Sequence, residues 1–184
     1  MTDNHRTDLR RRALAKGFAL LPLAFAMSPA RAALARPRTL SFYHTHTGER
    51  LTVTYAENGR YIPGALREVD HLLRDFRTET THPIDPRLLD QLVALNRCCG
   101  ERTFEVISGY RSPQTNAMLH HASSGVATHS LHIEGRAIDV RLTGFETARL
   151  HNAALSMARG GVGYYPRSDF VHLDTGRFRT WGAA

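Results

Sequence analysis

At 184 residues, with 42% hydrophobic and 22% charged positions, the chain suits one globular domain with a proper core and is short for two. Its net charge of +7 is unevenly spread: the first 32 residues hold six Lys/Arg and two Asp/Glu, and the other 18 basic and 15 acidic residues leave only +3. That residual charge would suit an anionic polymer, but no Arg-rich run with interleaved aromatics follows, which argues against nucleic acid as a partner.

Residues 1–32 have a character of their own. Arg10, Arg11 and Arg12 precede an apolar run from Phe18 to Met27, followed by Pro29 and Ala30-Arg31-Ala32. A basic region, a short apolar region and an A-x-A site make a secretory signal peptide. The arginines, with Ala13, Leu14 and Lys16 after them, resemble a twin-arginine signal, which exports folded proteins. A short membrane anchor is the alternative. No apolar span of membrane length follows, so residues 33–184 are expected to form one domain without a transmembrane segment. Cys98 and Cys99 are adjacent, which disfavours a bridge between them and favours packing; an intermolecular bridge stays open in an oxidising compartment.

Leu40 and Phe42, then Leu51, Val53 and Tyr55, alternate with polar residues around Thr47-Gly48-Glu49, predicting a β-hairpin over 37–56 with His44 and His46 on its polar side. Leu66, Val69, Leu72, Leu73 and Phe76 predict an amphipathic helix over 63–76, and Asp85-Pro86 opens a second that ends at Gly100. Thr103–Ile107 reads as a strand delivering Arg111 on a glycine-containing turn, with a short helix from Pro113 to Leu119. A flexible connection at Ser123–Gly125 leads to a β-like run over Ala137–Leu142 and a helix over Phe145–Ala158. Gly160–Pro166 then connects to a strand over Phe170–Asp174.

His132 stands seven residues before Asp139, and His172 follows an apolar Phe-Val pair. Two imidazoles and a carboxylate form a complete protein ligand set for a catalytic zinc that keeps a fourth position open. Asp139 lies between Ile138 and Val140, in a run that should be buried, so a metal or an arginine must compensate its charge. From the residues alone, a zinc ligand set and a buried Asp–His structural pair account equally well for this pattern.

Ser108-Gly-Tyr-Arg-Ser-Pro, Ser130-Leu-His-Ile-Glu-Gly-Arg-Ala-Ile-Asp, Gly160-Gly-Val-Gly-Tyr-Tyr-Pro, Phe170-Val-His-Leu-Asp-Thr-Gly and the closing Arg179-Thr-Trp occur in this order. Together they resemble the YcbK-type, MepK-like murein endopeptidases. Those belong to the superfamily of D-Ala-D-Ala metallopeptidases, which shares its zinc-site fold with the hedgehog signalling domain. The resemblance runs from about Arg38 to Trp181 and includes the twin-arginine leader. It implies that His132, Asp139 and His172 bind Zn2+ and that Arg111 engages carbonyl or carboxylate groups of the substrate. It also implies an acidic general base three positions before the last histidine, where Asp169 stands. Asp174 is the competing base, or a partner that orients His172.

The expected fold is therefore α+β, a small antiparallel sheet carrying the zinc site with helices packed on one side. The expected function is zinc-dependent hydrolysis of peptide crosslinks in peptidoglycan, outside the cytoplasmic membrane. D-Ala–diaminopimelate and diaminopimelate–diaminopimelate bonds are both compatible with the motifs. The alternatives are a D,D-carboxypeptidase, a non-catalytic metal-containing wall-binding module, and a secreted metallopeptidase acting on ordinary protein.

Overall fold

The structure, a computed structural model, describes residues 36–122, 127 and 129–182. The expected signal segment, residues 1–32, lies outside the described residues. So do Ser123, Ser124 and Gly125 of the connection before the His-rich stretch. Among the described residues no helix is long and apolar enough to cross a membrane.

The hairpin forms as the alternation predicts, with β1 (Arg38–His44) antiparallel to β2 (Arg50–Glu57) and a two-residue β3 (Arg60–Tyr61) at the edge. Two helices follow. In α1 (Pro63–Leu72) and α2 (Pro86–Cys98), proline occupies the first turn, where its missing N–H has no helical partner to lose. Asp85 caps α2 by accepting from the Arg87 amide at 3.0 Å. β4 (Phe104–Ser108) leads into α3 (Pro113–Ala122). Then come β5 (Ala137–Leu142), α4 (Thr147–Ser156), β6 (Gly161–Tyr165), β7 (Phe170–Asp174) and β8 (Arg179–Gly182).

The strands join one eight-stranded sheet in the order β3-β2-β1-β4-β5-β7-β6-β8. The part that carries the site, β4-β5-β7-β6, is antiparallel as expected. It sits in a wider sheet in which β1–β4 and β6–β8 are parallel pairs. One face is the core. Leu40, Phe42, Val106, Ile138, Val140, Val171 and Leu173 on the sheet cluster with Val69 of α1, Leu88, Leu89 and Leu92 of α2, and Leu150 of α4. Each fully buried side chain of this size contributes about 1.5–3 kcal/mol of transfer free energy.

Three local expectations change. The first helix stops at Leu72, and Leu73 to Phe76 turn away, because the Leu73 carbonyl and the Asp75 carboxylate bind the loop after β4. His44 is fully buried, not on a polar face, since period-2 alternation places it with Leu40 and Phe42. The stretch 160–166, expected as a connection, contains β6. Its glycines lower strand propensity, but a Cβ on Gly163 would stand 2.7 Å from the Trp181 ring, so packing requires glycine. The chain end forms β8, an edge strand too short to show a pattern. Cys99 is buried in the core and Cys98 is exposed, both as free thiols.

Candidate metal centre and active site

Successive cross-strand partners Ser108, Asp139, His172, Gly163 and Trp181 form one row across β4, β5, β7, β6 and β8. Pleating turns Asp139 and His172 to the face opposite the core, while Ile138, Val140, Val171 and Leu173 point into it. His132 reaches the same point from the turn over residues 131–135.

Three donor atoms converge there. His132 Nε2 lies 3.2 Å from both Asp139 Oδ1 and His172 Nδ1, and the last two are 2.8 Å apart. All three residues are buried. Ligands at roughly 2.0–2.1 Å from a tetrahedral zinc stand about 3.3 Å from one another, so this triangle fits such an ion. The outer hydrogen bonds agree. His132 Nδ1 donates to the Gly109 carbonyl at 2.7 Å and His172 Nε2 donates to Asp174 Oδ2 at 3.1 Å, which leaves lone pairs on the two inward nitrogens. Two imidazole lone pairs and a carboxylate oxygen facing one another need a cation between them.

The electrostatics are those of a closely coupled group. Burial works against the charge on Asp139, yet His132, His172 and Arg111 together hold its carboxyl well below the usual carboxylate range. Burial pushes His132 down, against the pull of Asp139. Burial also opposes a charge on His172, but hydrogen bonds to Asp139 and Asp174 outweigh it and raise its pKa. A divalent cation in the triangle would take the place of a proton held there.

Arg111 completes the inner arrangement. Its Nη2 bonds Asp139 Oδ2 and its Nε donates to Ser108 Oγ at 2.8 Å, so the guanidinium takes one carboxylate oxygen and leaves the other to the centre. The triangle opens on a cavity of about 560 Å³ whose wall includes Arg111, His129, Ser130, Tyr165, Arg179 and Trp181. Trp181 Nε1 donates to Tyr165 Oη at 2.8 Å, and the Trp181 ring lies 5.0 Å from that of His172.

The structure therefore brings His132, Asp139, His172 and Arg111 together, with Asp174 directly behind His172. Asp174 is fully buried, and its oxygens also accept from the Gly161 and Gly176 amides and from Arg179. That is the position of an orienting partner. Burial works against its charge, but bonds from His172, Arg179 and the two amides outweigh it and keep the carboxyl low. Asp169, expected as the general base, does not reach the triangle. It lies in the turn before β7, at a φ of 52°, and Thr147 and Arg141 bond its carboxylate there. His129 and Ser130 line the cavity.

The structure brings together the three residues that the resemblance names as ligands, with Arg111 on the Asp139 carboxylate. A family model described as peptidoglycan L,D-endopeptidase MepK matches residues 32–181. The chain belongs to this MepK family. A relative from Escherichia coli K12 named peptidoglycan L,D-endopeptidase MepK is 44% identical over 175 residues, covering 94% of this chain and 96% of the relative. A Haemophilus influenzae protein named "Probable peptidoglycan L,D-endopeptidase MepK" is 41% identical over 183 residues, covering 97% of this chain and 95% of the relative.

Sequence reasoning missed the Gly109 carbonyl, which holds a ligand through the main chain and so leaves no side-chain signature. It also missed the Tyr165–Trp181 wall, although the Gly-Val-Gly-Tyr-Tyr motif was the available signal, since alternating glycines mark a surface where another ring lies close.

Proposed function

We propose that this chain is a zinc-dependent murein endopeptidase of the cell envelope that hydrolyses diaminopimelate–diaminopimelate crosslinks. The observation that carries the reading is the buried triangle of His132, Asp139 and His172 opening on one cavity, in a chain that belongs to the MepK family. The family description as an L,D-endopeptidase favours this bond, which joins an L-centre to a D-centre, over D-Ala–diaminopimelate, which joins two D-centres. Export through the twin-arginine-like segment in residues 1–32 fits a substrate outside the cytoplasmic membrane and a periplasmic site of action.

Bound zinc would lower the pKa of its water towards about 7 and polarise the scissile carbonyl. His132, His172 and Asp139 would hold it, through the atoms that converge in the triangle. Arg111 is anchored by Ser108 and Asp139, and its fixed charge on the cavity wall stabilises negative charge developing on the carbonyl oxygen. The attacking water must also lose a proton. Thr147 and Arg141 hold the Asp169 carboxylate in the turn before β7 and Asp174 lies behind His172, so we assign proton transfer to His129, an imidazole on the cavity wall. Tyr165, Phe170 and Trp181 give the peptide an apolar wall that restricts water.

Purified protein is incubated with murein sacculi and with defined crosslinked muropeptides, with and without a chelator. Conversion of diaminopimelate-linked dimers to monomers, stopped by chelation and restored by zinc, is the expected result. Release of terminal D-Ala alone would replace the reading with a carboxypeptidase. No change in the sacculi would leave a wall-binding module, and digestion of casein with intact sacculi would make it a general peptidase.

A further inference from the structure

A buried carboxylate outside the ligand set controls the backbone from which two of the three ligands are held. Asp75 lies in the turn after α1 and is 1% exposed. Its Oδ1 accepts from the Arg77 amide at 3.0 Å and its Oδ2 from the Ser112 amide at 2.9 Å. Burial opposes its charge, but the Thr115 and Ser112 hydroxyls and the two amides outweigh it and hold the carboxyl down at about 2. Every one of these partners is a neutral donor. Keeping a charged carboxylate buried among neutral groups is a costly way to add stability, so what it holds in place matters.

What it holds is the loop over residues 109–112. The same turn grips this loop a second time, since the Tyr110 amide donates to the Leu73 carbonyl at 2.8 Å. Ser112 in turn caps α3, its Oγ accepting from the Thr115 amide at 3.1 Å. From this loop the Gly109 carbonyl fixes the His132 ring, the Arg111 amide donates to the His132 carbonyl at 3.2 Å, and the Arg111 side chain fixes Asp139.

We propose that Asp75 is a positioning residue for the metal centre, clamping the 109–112 loop so that His132 and Asp139 keep their ligand geometry. The inference rests on the zinc reading above and goes beyond it, since Asp75 touches neither metal nor substrate.

The test is Asp75→Asn in the full chain. The amide matches the carboxylate in shape but has one acceptor oxygen, so with Arg77 satisfied its NH2 faces the Ser112 N–H. Zinc affinity, measured by competition with a chromophoric chelator, falls about 10–100-fold, as for other groups that orient ligands. Cleavage falls with it at limiting zinc and recovers at excess zinc. Val53→Ala, a core truncation on β2, lowers stability without moving zinc affinity and so controls for general destabilisation. Unchanged zinc affinity in folded Asp75→Asn, whatever its melting temperature, overturns the proposal. If Asp75→Asn does not fold, Thr115→Val removes one hydroxyl donor from the clamp. A several-fold weaker zinc affinity then supports the proposal and unchanged affinity overturns it. Wild-type protein that neither binds zinc nor cuts murein would instead remove the functional reading itself.

Discussion

Asp174 Oδ2 stands 3.1 Å from His172 Nε2, on the side of the ring turned away from Asp139 and His132. The contact selects the imidazole tautomer that presents a lone pair to the centre of the triangle. In Asp174→Asn, the oxygen is needed by the Gly161 and Gly176 amides at 2.9 and 2.8 Å, so the NH2 meets Arg179 and His172. His172 then protonates Nδ1 and ceases to be a ligand. Zinc affinity is expected to fall about 10–100-fold, read by chelator competition beside a thermal melt.

Gly109→Ala tests the main-chain support of His132. The added Cβ would lie 2.5 Å from the Leu73 carbonyl oxygen and 2.9 Å from its Cβ, closer than real contacts allow. Relief requires the loop to move and takes the Gly109 carbonyl away from His132. Unfolding in urea should show a loss of about 1–3 kcal/mol, with weaker zinc binding in the folded fraction. Wild-type zinc affinity in this variant would show that the carbonyl does not orient the ring.

The assignment of proton transfer separates two histidine and aspartate variants. Asp169→Asn keeps murein cleavage within a few-fold of wild type, because Asp169 bonds Thr147 and Arg141 in the turn before β7 and no residue of the triangle. His129→Gln lowers kcat by about 10²–10⁴-fold while leaving zinc content at one ion per chain. If Asp169→Asn is the inactive one of the two, the assignment is wrong and the acid acts after a rearrangement of the 166–169 turn.

His44 makes stability sensitive to pH. Its Nδ1 accepts from the His46 and Thr47 amides at 3.3 Å, while Nε2 is buried with no partner among the described residues. Burial therefore pushes its pKa down from 6.5 to about 4. Between those values the unfolded chain binds the proton and the folded one does not, so this contribution is complete above 6.5 and is lost as pH falls towards 4. The loss is about 1–3 kcal/mol. Urea unfolding at pH 7 and pH 4.5 should show a smaller difference in His44→Leu than in wild type. An equal difference in both would assign the pH dependence to other groups.

His172→Ala removes a ligand from a buried triangle whose strand is otherwise intact. The variant is expected to fold, shown by circular dichroism, to purify without stoichiometric zinc, and to leave sacculi uncut. A folded variant with full zinc content would move the third ligand elsewhere.

The cluster of His132, Asp139 and His172 could be read from the chain because its parts obey local rules. Asp139 and His172 each sit inside a strand whose apolar neighbours declare their burial, and a buried carboxylate has to be compensated by something nearby. The hairpin, the helix starts at Pro63 and Pro86 and the cap at Asp85 follow equally local chemistry. What the chain alone could not decide was which partners hold each acid. Asp169 and Asp174 flank His172 at similar distances in sequence. The pleat sends Asp174 behind the imidazole, the turn before β7 ties Asp169 to Thr147 and Arg141, and the register of β5 against β7 sets Asp139 directly opposite His172. The supports of the site were hidden for a different reason. The Gly109 carbonyl, the Asp75 carboxylate and the Trp181 ring come from segments separated by tens of residues, and only tertiary packing brings them to the centre. Local chemistry thus pointed to the candidate ligands, while the sheet register and the loop contacts across the fold decided how they are aimed and which neighbouring groups can act with them.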